Sequence, residues 1–422
     1  MRRHESYKPS GLNWLGDIPS HWTLKKTKFL WREKEERSLF GEEQLLSVSQ
    51  YSGVVPRVAE SRSESLEDYK NCEPDDLVIN IMLAWMGGLG VSIHSGVVSP
   101  AYCVYRQLEA HNPQYLGYLY RTPQYLAEFA RRSKGIVPSR WRMYPEDFGQ
   151  VQTLLPPRIE QDRIVSFLDK KTTEIDMAIA QKEQLIKLLQ EQKSIVIDQA
   201  ITRGLNPDAP MRDSGMEWIG EVPTHWQERR LKMLSSFITS GPRGWSEILA
   251  EEGAIFLQSG NLNDSLGVDT VKAHRVVVPK GAESKRTRLM DNDIVVCITG
   301  ANTGRVAVAN IDGQEAYINQ HLSLIRLKES NPRFVAYSLS SQGRTYFYLC
   351  QYGLKEGLSL FNVSNAPIVL PPISEQEEIV SFLDEVVEQV DAAVASAISQ
   401  RDHLRELKSS LIATSVTGQI QH

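Results

Sequence analysis

Cysteine is scarce in this 422-residue chain, and its few copies form no pattern. No CxxC pair occurs, and no histidine stands at the spacing of a zinc-finger ligand set. We therefore expect reduced, mostly buried thiols and no metal site. The four residues are Cys72, Cys103, Cys297 and Cys350.

Long hydrophobic runs are also missing. A membrane helix needs roughly 18 to 20 apolar residues, and no stretch approaches that length. The opening MRRHESYKPS is basic but leads into no apolar core, so no secretory signal is visible. With 41% hydrophobic and 23% charged residues, the composition is that of an ordinary globular protein. These features predict a cytoplasmic protein without membrane association.

Catalytic motifs are absent as well. The segment GANTGR, from Gly300, is nearest to a phosphate-binding loop but lacks the lysine that would reach a nucleotide. Neither a GxGxxG opening, an HExxH helix, a GxSxG elbow nor the (N/D)PP(F/Y/W) tetrapeptide of amino-methyltransferases occurs. His21 and His225 lie in matching Pro-x-His-Trp segments, which favours a role in a turn over catalysis or metal binding. We predict no catalytic residue and no cofactor bound by this chain.

What the chain does contain is an internal repeat. LPPRIEQDRIVSFLDK from Leu155 and LPPISEQEEIVSFLDE from Leu370 agree at eleven of sixteen positions. SGLNWLGDIPSHW from Ser10 returns as SGMEWIGEVPTHW from Ser214. A repeat of this kind indicates one structural unit written twice.

Each copy reads as a mixed globular region followed by a long helix. Short β-rich runs alternate with turn signals and helical stretches, an α+β pattern. After each Leu-Pro-Pro the apolar residues follow three- and four-residue steps, which is a heptad seam. Two such helices in one chain can bury their seams against each other, so we expect an antiparallel coiled coil and a pseudo-twofold axis. The earlier seam contains Ile164, Leu168, Ile175, Ala178, Leu185, Leu189 and Val196, and the later one Ile379, Leu383, Val386, Val390, Ala393, Ala397, Leu404, Leu407 and Leu411.

Together, in order and duplicated, these motifs resemble the DNA-specificity subunit of a type I restriction-modification enzyme. WMGGLGVS, SGPRGW, NQHLSLIRL and KEGLSL add to the resemblance, which runs over nearly the whole chain. It implies two target-recognition domains separated and joined by helical spacers. The boundaries we expect are residues 1–155 and 207–369 for the recognition domains, and 156–206 and 370–422 for the helical regions.

The DNA-facing residues are predicted from local basic clusters, because the net charge of −5 argues neither way. Lysine and arginine on loops neutralise phosphates, and arginine also pairs with guanine in the major groove. Each cluster alone is equally consistent with a solvated surface run, and the Gly-flanked arginines with ordinary turns. Trp85, Trp141 and Trp245 have no partner in the repeat and are the better stacking candidates, whereas the matched Trp14, Trp22, Trp218 and Trp226 are expected in a shared core. The candidate DNA-binding residues are Lys134, Arg140, Trp141, Arg142, Arg243, Trp245, Lys285, Arg286, Arg288, Arg305 and Lys355.

Partners follow from the resemblance. It implies two methyltransferase subunits that bind S-adenosylmethionine and two motor and nuclease subunits that use ATP and Mg²⁺, docked on two similar surfaces. The repeated Glu-Gln pairs, Glu160 with Gln161 and Glu375 with Gln376, are the candidate partner-binding residues. The C-terminal helical region carries three Lys and Arg against nine Asp and Glu, a surface suited to protein rather than phosphate.

The predicted function is non-catalytic recognition of a split, asymmetric double-stranded DNA target. A second hypothesis is an assembly scaffold that joins two protein partners through the helices without reading DNA. A third, an enzyme with an unrecognised site, is the weakest because the common catalytic motifs are missing. The recognised bases, the spacer length and the state of the partner subunits do not follow from the sequence.

Overall fold

A computed structural model describes residues 3–50, 52–57, 66–351 and 357–422, with Ser139 described by its backbone alone. The chain divides into two compact units. The first consists of Met1–Glu183 with Ser399–His422, and the second of Gln184–Ile398. Each unit therefore combines one of the two globular regions with a segment of both long helices.

The first globular region is a mixture of short strands and helices, followed by a long helix. Its strands are β1 (Tyr7–Pro9), β2 (Asp17–Pro19), β3 (Thr23–Lys26), β4 (Trp31–Lys34), β5 (Leu46–Ser49), β6 (Gly53–Pro56), β7 (Lys70–Cys72), β8 (Leu77–Asn80), β9 (Leu89–Val91), β10 (Gly96–Val98), β11 (Tyr102–Gln107) and β12 (Gln152–Leu155). Its helices are α1 (Pro113–Tyr120), α2 (Pro123–Arg132), α3 (Pro145–Gly149) and the long α4 (Arg158–Arg203).

The second globular region has the same kind of composition. Its strands are β13 (Met211–Asp213), β14 (Glu221–Pro223), β15 (Gln227–Arg230), β16 (Ser235–Ser240), β17 (Leu249–Ala250), β18 (Ala254–Leu257), β19 (His274–Val276), β20 (Arg288–Leu289), β21 (Ile294–Cys297), β22 (Val306–Val308), β23 (Ala316–Ile318), β24 (Leu322–Leu327) and β25 (Pro367–Leu370). Its helices are α5 (Leu231–Leu234), α6 (Ala282–Thr287), α7 (Pro332–Ser340), α8 (Gln342–Cys350), α9 (Leu360–Ser364) and the long α10 (Ile373–Val416).

The internal repeat is visible in the strand pairing. Each unit contains one four-stranded antiparallel sheet, ordered β4-β11-β8-β9 in the first and β16-β24-β21-β22 in the second. The hairpins β1-β2 and β13-β14 also correspond, as do the pairs β3-β12 and β15-β25. The two units differ beside the sheet, where the second adds the five-stranded β17-β19-β18-β23-β20 and the first has the hairpin β5-β6 and the antiparallel pair β7-β10. The fold is mixed α and β, as the sequence predicts.

The long helices begin where the sequence predicts them, directly after Pro156-Pro157 and Pro371-Pro372. Proline fixes φ and lacks the N–H that an interior helical position needs, so it precedes a helix more readily than it continues one. Gly204, with φ +72°, follows the end of α4 and adopts the left-handed conformation that closes many helices.

Ion pairs join the two long helices within each unit. In the first unit, Lys408 Nζ lies 2.7 Å from Asp176 and Arg405 Nη2 lies 2.8 Å from Glu183, so these segments of α4 and α10 run antiparallel. In the second unit Lys193 Nζ lies 2.6 Å from Asp391.

The predicted seam is buried where the helices meet the globular cores. Ile164 and Leu168 of α4 are 1% and 0% exposed, and Ile379 and Leu383 of α10 are both 0% exposed. The prediction is wrong for three other members: Leu185 is 41% exposed, Leu407 is 54% exposed, and Ala393 is exposed as well.

No helix among the described residues is both long enough and apolar enough to span a membrane.

Candidate nucleic-acid interface and its supporting joints

A repeated joint fixes the start of each long helix on its globular region. In the first unit the Glu160 carboxylate accepts a hydrogen bond from Trp22 Nε1 at 3.1 Å and lies 2.8 Å from His21 Nε2. In the second, Glu375 accepts from Trp226 Nε1 at 3.1 Å, and His225 Nε2 is 2.9 Å away. The matched Pro-x-His-Trp segments therefore act as a turn that holds a helix, as the sequence favoured for the histidines.

The neighbouring glutamine completes the joint. Gln161 accepts from the backbone N–H of Asn112 at 2.8 Å and donates to the carbonyl of Pro156 at 2.8 Å. Gln376 does the same with Asn331 at 2.9 Å and Pro371 at 2.8 Å. Both asparagines cap a helix, because their side chains accept from the first turns of α1 and α7. One glutamine thus links the long helix, the preceding Pro-Pro turn and a capped helix of the globular region.

These contacts change the reading of the predicted partner residues. Gln161 is 0% exposed and Gln376 2% exposed, so their amides serve the joint and offer nothing to a partner subunit. Glu160 and Glu375 are partly exposed but already bound to Trp and His. A residue repeated in both units can support the shared fold or form a shared binding surface. The hydrogen bonds and burial of Gln161 and Gln376 assign them to the fold. The repeat does leave Ser166 and Ser381 exposed on the same helical segments.

The basic cluster of the first unit is a closed loop at the end of α2. The backbones of Lys134 and Arg142 exchange two hydrogen bonds of 3.0 Å, which closes residues 134–142. Gly135 is needed there, since a Cβ at this position would lie 2.5 Å from the Arg140 carbonyl oxygen. Trp141 is half-buried and packs edge-on against Trp85, with ring centroids 5.3 Å apart. The loop therefore presents its cations on a fixed backbone.

The cations of this loop differ in their availability. Arg140 and Arg142 are exposed, and neither side chain forms an ion pair or hydrogen bond with another described residue. Lys134 lies 2.8 Å from Asp147, a contact that raises the lysine pKa. The adjoining Arg131 is held by the Glu128 carboxylate. Arg140 and Arg142 are thus the cations of the loop best placed for a phosphate.

The tip of the same loop is apolar. Ile136 is 97% exposed and Val137 is 43% exposed, and both lie between Lys134 and Arg140 in sequence. An exposed aliphatic side chain among phosphate-binding groups suits contact with a thymine methyl. Ile136 carries neither a charge nor an aromatic ring, so no DNA-binding pattern in the sequence identifies it.

In the second unit, four predicted cations are exposed: Arg243, Lys285, Arg286 and Arg288. Arg286 donates to the Ser240 carbonyl at 3.0 Å and to the Thr239 hydroxyl, so it ties α6 to the end of β16. Arg243 follows that strand end by three residues in a Gly-flanked turn. The loop after β16 and helix α6 consequently present their cations near one another.

Arg305 stands apart from that group. Its guanidinium donates to the Leu262 carbonyl at 3.0 Å and pairs with Asp264 at 3.2 Å. It lines a cavity together with Lys193 of α4, on the side of the unit where the helices pack. Lys355 lies outside the described residues.

Trp245 is 5% exposed and packs against Tyr317 and Phe256, with ring centroids 5.4 and 6.2 Å away. This burial argues against the stacking role predicted for it, because its ring faces a core cluster and not solvent. Of the tryptophans expected in the core, Trp22 and Trp226 are 0% and 2% exposed, but Trp218 is 38% exposed.

The four cysteines are free thiols. Burial raises the pKa of the Cys72 and Cys103 thiols to about 11 and also raises that of Cys297. A thiol that stays protonated is a poor nucleophile and a poor metal ligand. Among the described residues, one group of His, Cys, Asp and Glu side chains is close enough to hold a metal ion, and it contains no cysteine.

The comparisons with known proteins agree in one direction. Residues 223–396 match the type I restriction modification DNA specificity domain. The EcoBI specificity subunit of Escherichia coli is 23% identical over 280 residues, which are 63% of this chain and 58% of that protein. The EcoKI specificity subunit of Escherichia coli K12 is 21% identical over 382 residues, covering 84% of this chain and 77% of that protein. The chain thus spans only a little over half the length of the EcoBI subunit.

Solved structures show the same fold. One chain from a study of complex assembly and conformational transition of the type I R-M system aligns with a TM-score of 0.73 at 15% identity, covering 96% of this chain and 99% of that one. The HsdS subunit from Thermoanaerobacter tengcongensis aligns with a TM-score of 0.54 at 17% identity, covering 96% and 98%. The resemblance inferred from the duplicated motifs is confirmed: this chain is similar to the specificity subunits of type I restriction enzymes, and residues 223–396 match their DNA specificity domain.

Proposed function

We propose that this chain is the non-catalytic specificity subunit of a type I restriction-modification complex, and that it reads a bipartite DNA target. One observation carries the proposal. The two units share a sheet, a hairpin and a helix joint, yet they carry different exposed loops beside the shared parts. Two domains that share a scaffold but differ in their exposed loops would recognise two different half-sites. A DNA target made of two different half-sites is asymmetric.

In the first unit, the reading surface is the loop of residues 134–142. Arg140 and Arg142 are free for phosphates or guanine edges, and the exposed Ile136 lies four residues before Arg140 in the same loop. In the second unit, Arg243 and the cations of α6 form the corresponding surface. The backbone bridge at 134 and 142 and the tie from Arg286 to β16 hold the two loops before DNA arrives, which lowers the conformational entropy lost on binding.

The long helices are proposed to set the gap between the half-sites. At about 1.5 Å per residue, a helix the length of α4 extends about 70 Å. At about 3.4 Å per base pair, this limits the separation of the half-sites to about 20 base pairs. The half-sites should therefore lie within two turns of duplex.

Methyltransferase subunits and motor and nuclease subunits are the proposed protein partners, two of each, in the cytoplasm. They would supply S-adenosylmethionine, ATP and Mg²⁺ chemistry that this chain does not perform. The exposed face of the repeated helical segments is the proposed docking surface, since Ser166 and Ser381 occupy matching positions and Phe382 is 39% exposed. The amides of Gln161 and Gln376 lie behind that face and support it.

The competing proposal is a scaffold that joins two partners without touching DNA. Acidic charge on the C-terminal helical region favours it, with three Lys and Arg against nine Asp and Glu. Binding of a fluorescent duplex to the purified complex of this chain with its methyltransferase partner separates the two. A specificity subunit makes binding stronger than that of the partner alone, with an affinity that falls steeply as salt rises. A scaffold leaves the partner's DNA affinity and its salt dependence unchanged.

A further inference from the structure

Three donor groups that are distant in sequence meet at the first joint. One ligand atom from each of His4, His21 and Glu160 lies within 4.8 Å of the other two. His21 Nε2 is 2.8 Å from one carboxylate oxygen of Glu160, and His4 Nδ1 is 3.7 Å from the other. Ligands around a tetrahedral zinc ion, each about 2.0 to 2.2 Å from the metal, stand about 3.3 to 3.6 Å apart, so the His4 contact already fits and the hydrogen-bonded His21 contact would have to open by about 0.5 Å.

His4 is the unusual member of this group. Its side chain is 4% exposed, its Nδ1 atom faces the Glu160 carboxylate, and its ring is also held by the Ile420 backbone. At 3.7 Å, the contact of Nδ1 with the carboxylate is longer than a hydrogen bond and is close to the separation of two ligands on one zinc ion. The residue is nevertheless held in position: its backbone N–H donates to the Tyr7 hydroxyl at 3.3 Å, and that hydroxyl donates to the Gly418 carbonyl at 3.0 Å.

The second unit provides an internal comparison. It has the same pairing of His225 with Glu375, at 2.9 Å, so the histidine and the carboxylate alone are part of the shared joint. At the repeat offset, the residue that corresponds to His4 is Asp208, which is exposed. The joint itself therefore does not require His4, and among the described residues only the first unit brings a third donor to it.

We infer that His4, His21 and Glu160 bind one divalent transition-metal ion of the zinc class. Two imidazoles and a carboxylate form a donor set that zinc uses, with a fourth position left for water. His21 is half-exposed, which leaves that position open to solvent. Trp22 Nε1, which donates to Glu160 Oε2, would orient the carboxylate from behind. Such an ion would fasten the segment around His4 to the first turn of α4 in the first unit alone.

The experiment is zinc binding to the purified full chain, measured by equilibrium dialysis against Zn²⁺ and elemental analysis. The expected result is one tightly bound zinc ion per chain. His4→Gln and His21→Gln should each weaken that binding by more than about 10-fold, since even indirect partners of a metal site contribute that much. His225→Gln is the matched control and should bind zinc as the wild type does.

Several outcomes would overturn the inference. They are no stoichiometric zinc in the wild type, equal affinity in His4→Gln, or equal loss in His225→Gln. Because His4→Gln could fail to fold, X-ray absorption of the zinc-loaded wild type provides a test that needs no variant. Its spectrum should show two imidazole nitrogens around the ion, and fewer than two would contradict the assignment. Neither test depends on DNA binding, so this inference and the proposed function can fail separately.

Discussion

Removing the two free arginines of residues 134–142 should weaken DNA binding and reduce the dependence of the affinity on salt concentration. Arg140→Ala and Arg142→Ala together delete two exposed cations that no described residue pairs with, so the described part of the fold loses no ion pair and no side-chain hydrogen bond. If each arginine neutralises one phosphate, the slope of log affinity against log salt becomes shallower by about 1.8, at about 0.9 per contact. With the affinity at 1 M salt unchanged, this corresponds to about 60-fold weaker binding at 0.1 M and about 20-fold at 0.2 M.

The assay is fluorescence anisotropy of the methyltransferase complex with a random-sequence duplex over a salt series. Random sequence is sufficient because phosphate contacts do not depend on the bases. The matched control is Lys25→Ala with Arg106→Ala, which removes the same charge from the half-buried Lys25 and the exposed Arg106, both of which are ion-paired with carboxylates. An unchanged slope in Arg140→Ala/Arg142→Ala, or an equal change in the control, would remove the loop from the interface.

Three further predictions follow from the joints, the charges and the helices. Gln161→Ala should lower the free energy of unfolding of the first unit by roughly 1–3 kcal/mol in chemical denaturation, because the two hydrogen bonds of the buried amide are lost. The control Gln181→Ala changes an exposed glutamine and should shift that free energy by less than about 0.5 kcal/mol. Burial would raise the pKa of Glu128, but the contacts with Arg131 and Arg132 outweigh burial and lower that pKa. These contacts therefore stabilise the fold above about pH 4.5, and their contribution is lost as the pH falls. Glu128→Gln should flatten this acid dependence of the melting temperature in thermal melts. Adding one heptad to each long helix should lengthen the preferred spacer by about 3 base pairs and leave both half-sites unchanged in a selection from random duplexes, and a change of half-site would contradict the spacer role.

The long helices and the matching hairpins could be predicted because their sequence motifs occur in both units. Prolines at 156–157 and 371–372 locate both long helices, and the repeated Trp-containing openings become matching hairpins and joints. Periodicity also identifies Ile164 and Ile379 as core residues, each almost fully buried. Local sequence patterns are sufficient to predict these elements, because proline position and apolar periodicity determine them in the same way in both units.

The site was harder to predict, because its contacts join residues far apart in sequence. Gln161 looks like a surface residue of a polar helix start, yet it is buried through Asn112, 49 residues earlier. Trp245 has no partner in the repeat and so looks exposed, but it packs on rings from β18 and β23. His4 has no counterpart and no motif, and only the fold brings it to Glu160. The roles of Gln161, Trp245 and His4 depend on burial and on contacts with residues distant in sequence. The spacing of residues along the chain predicts neither.

The central claim is that this chain supplies the sequence specificity of a methylating complex. The most direct measurement is a genome-wide methylation map of cells that express it with its cognate methyltransferase subunit, against cells that lack only this chain. The predicted result is a split, asymmetric motif, with half-sites within two turns of duplex, that is methylated only when the chain is present. Methylation that is absent, or identical without the chain, in cells where the subunits demonstrably assemble would contradict the claim and favour the scaffold.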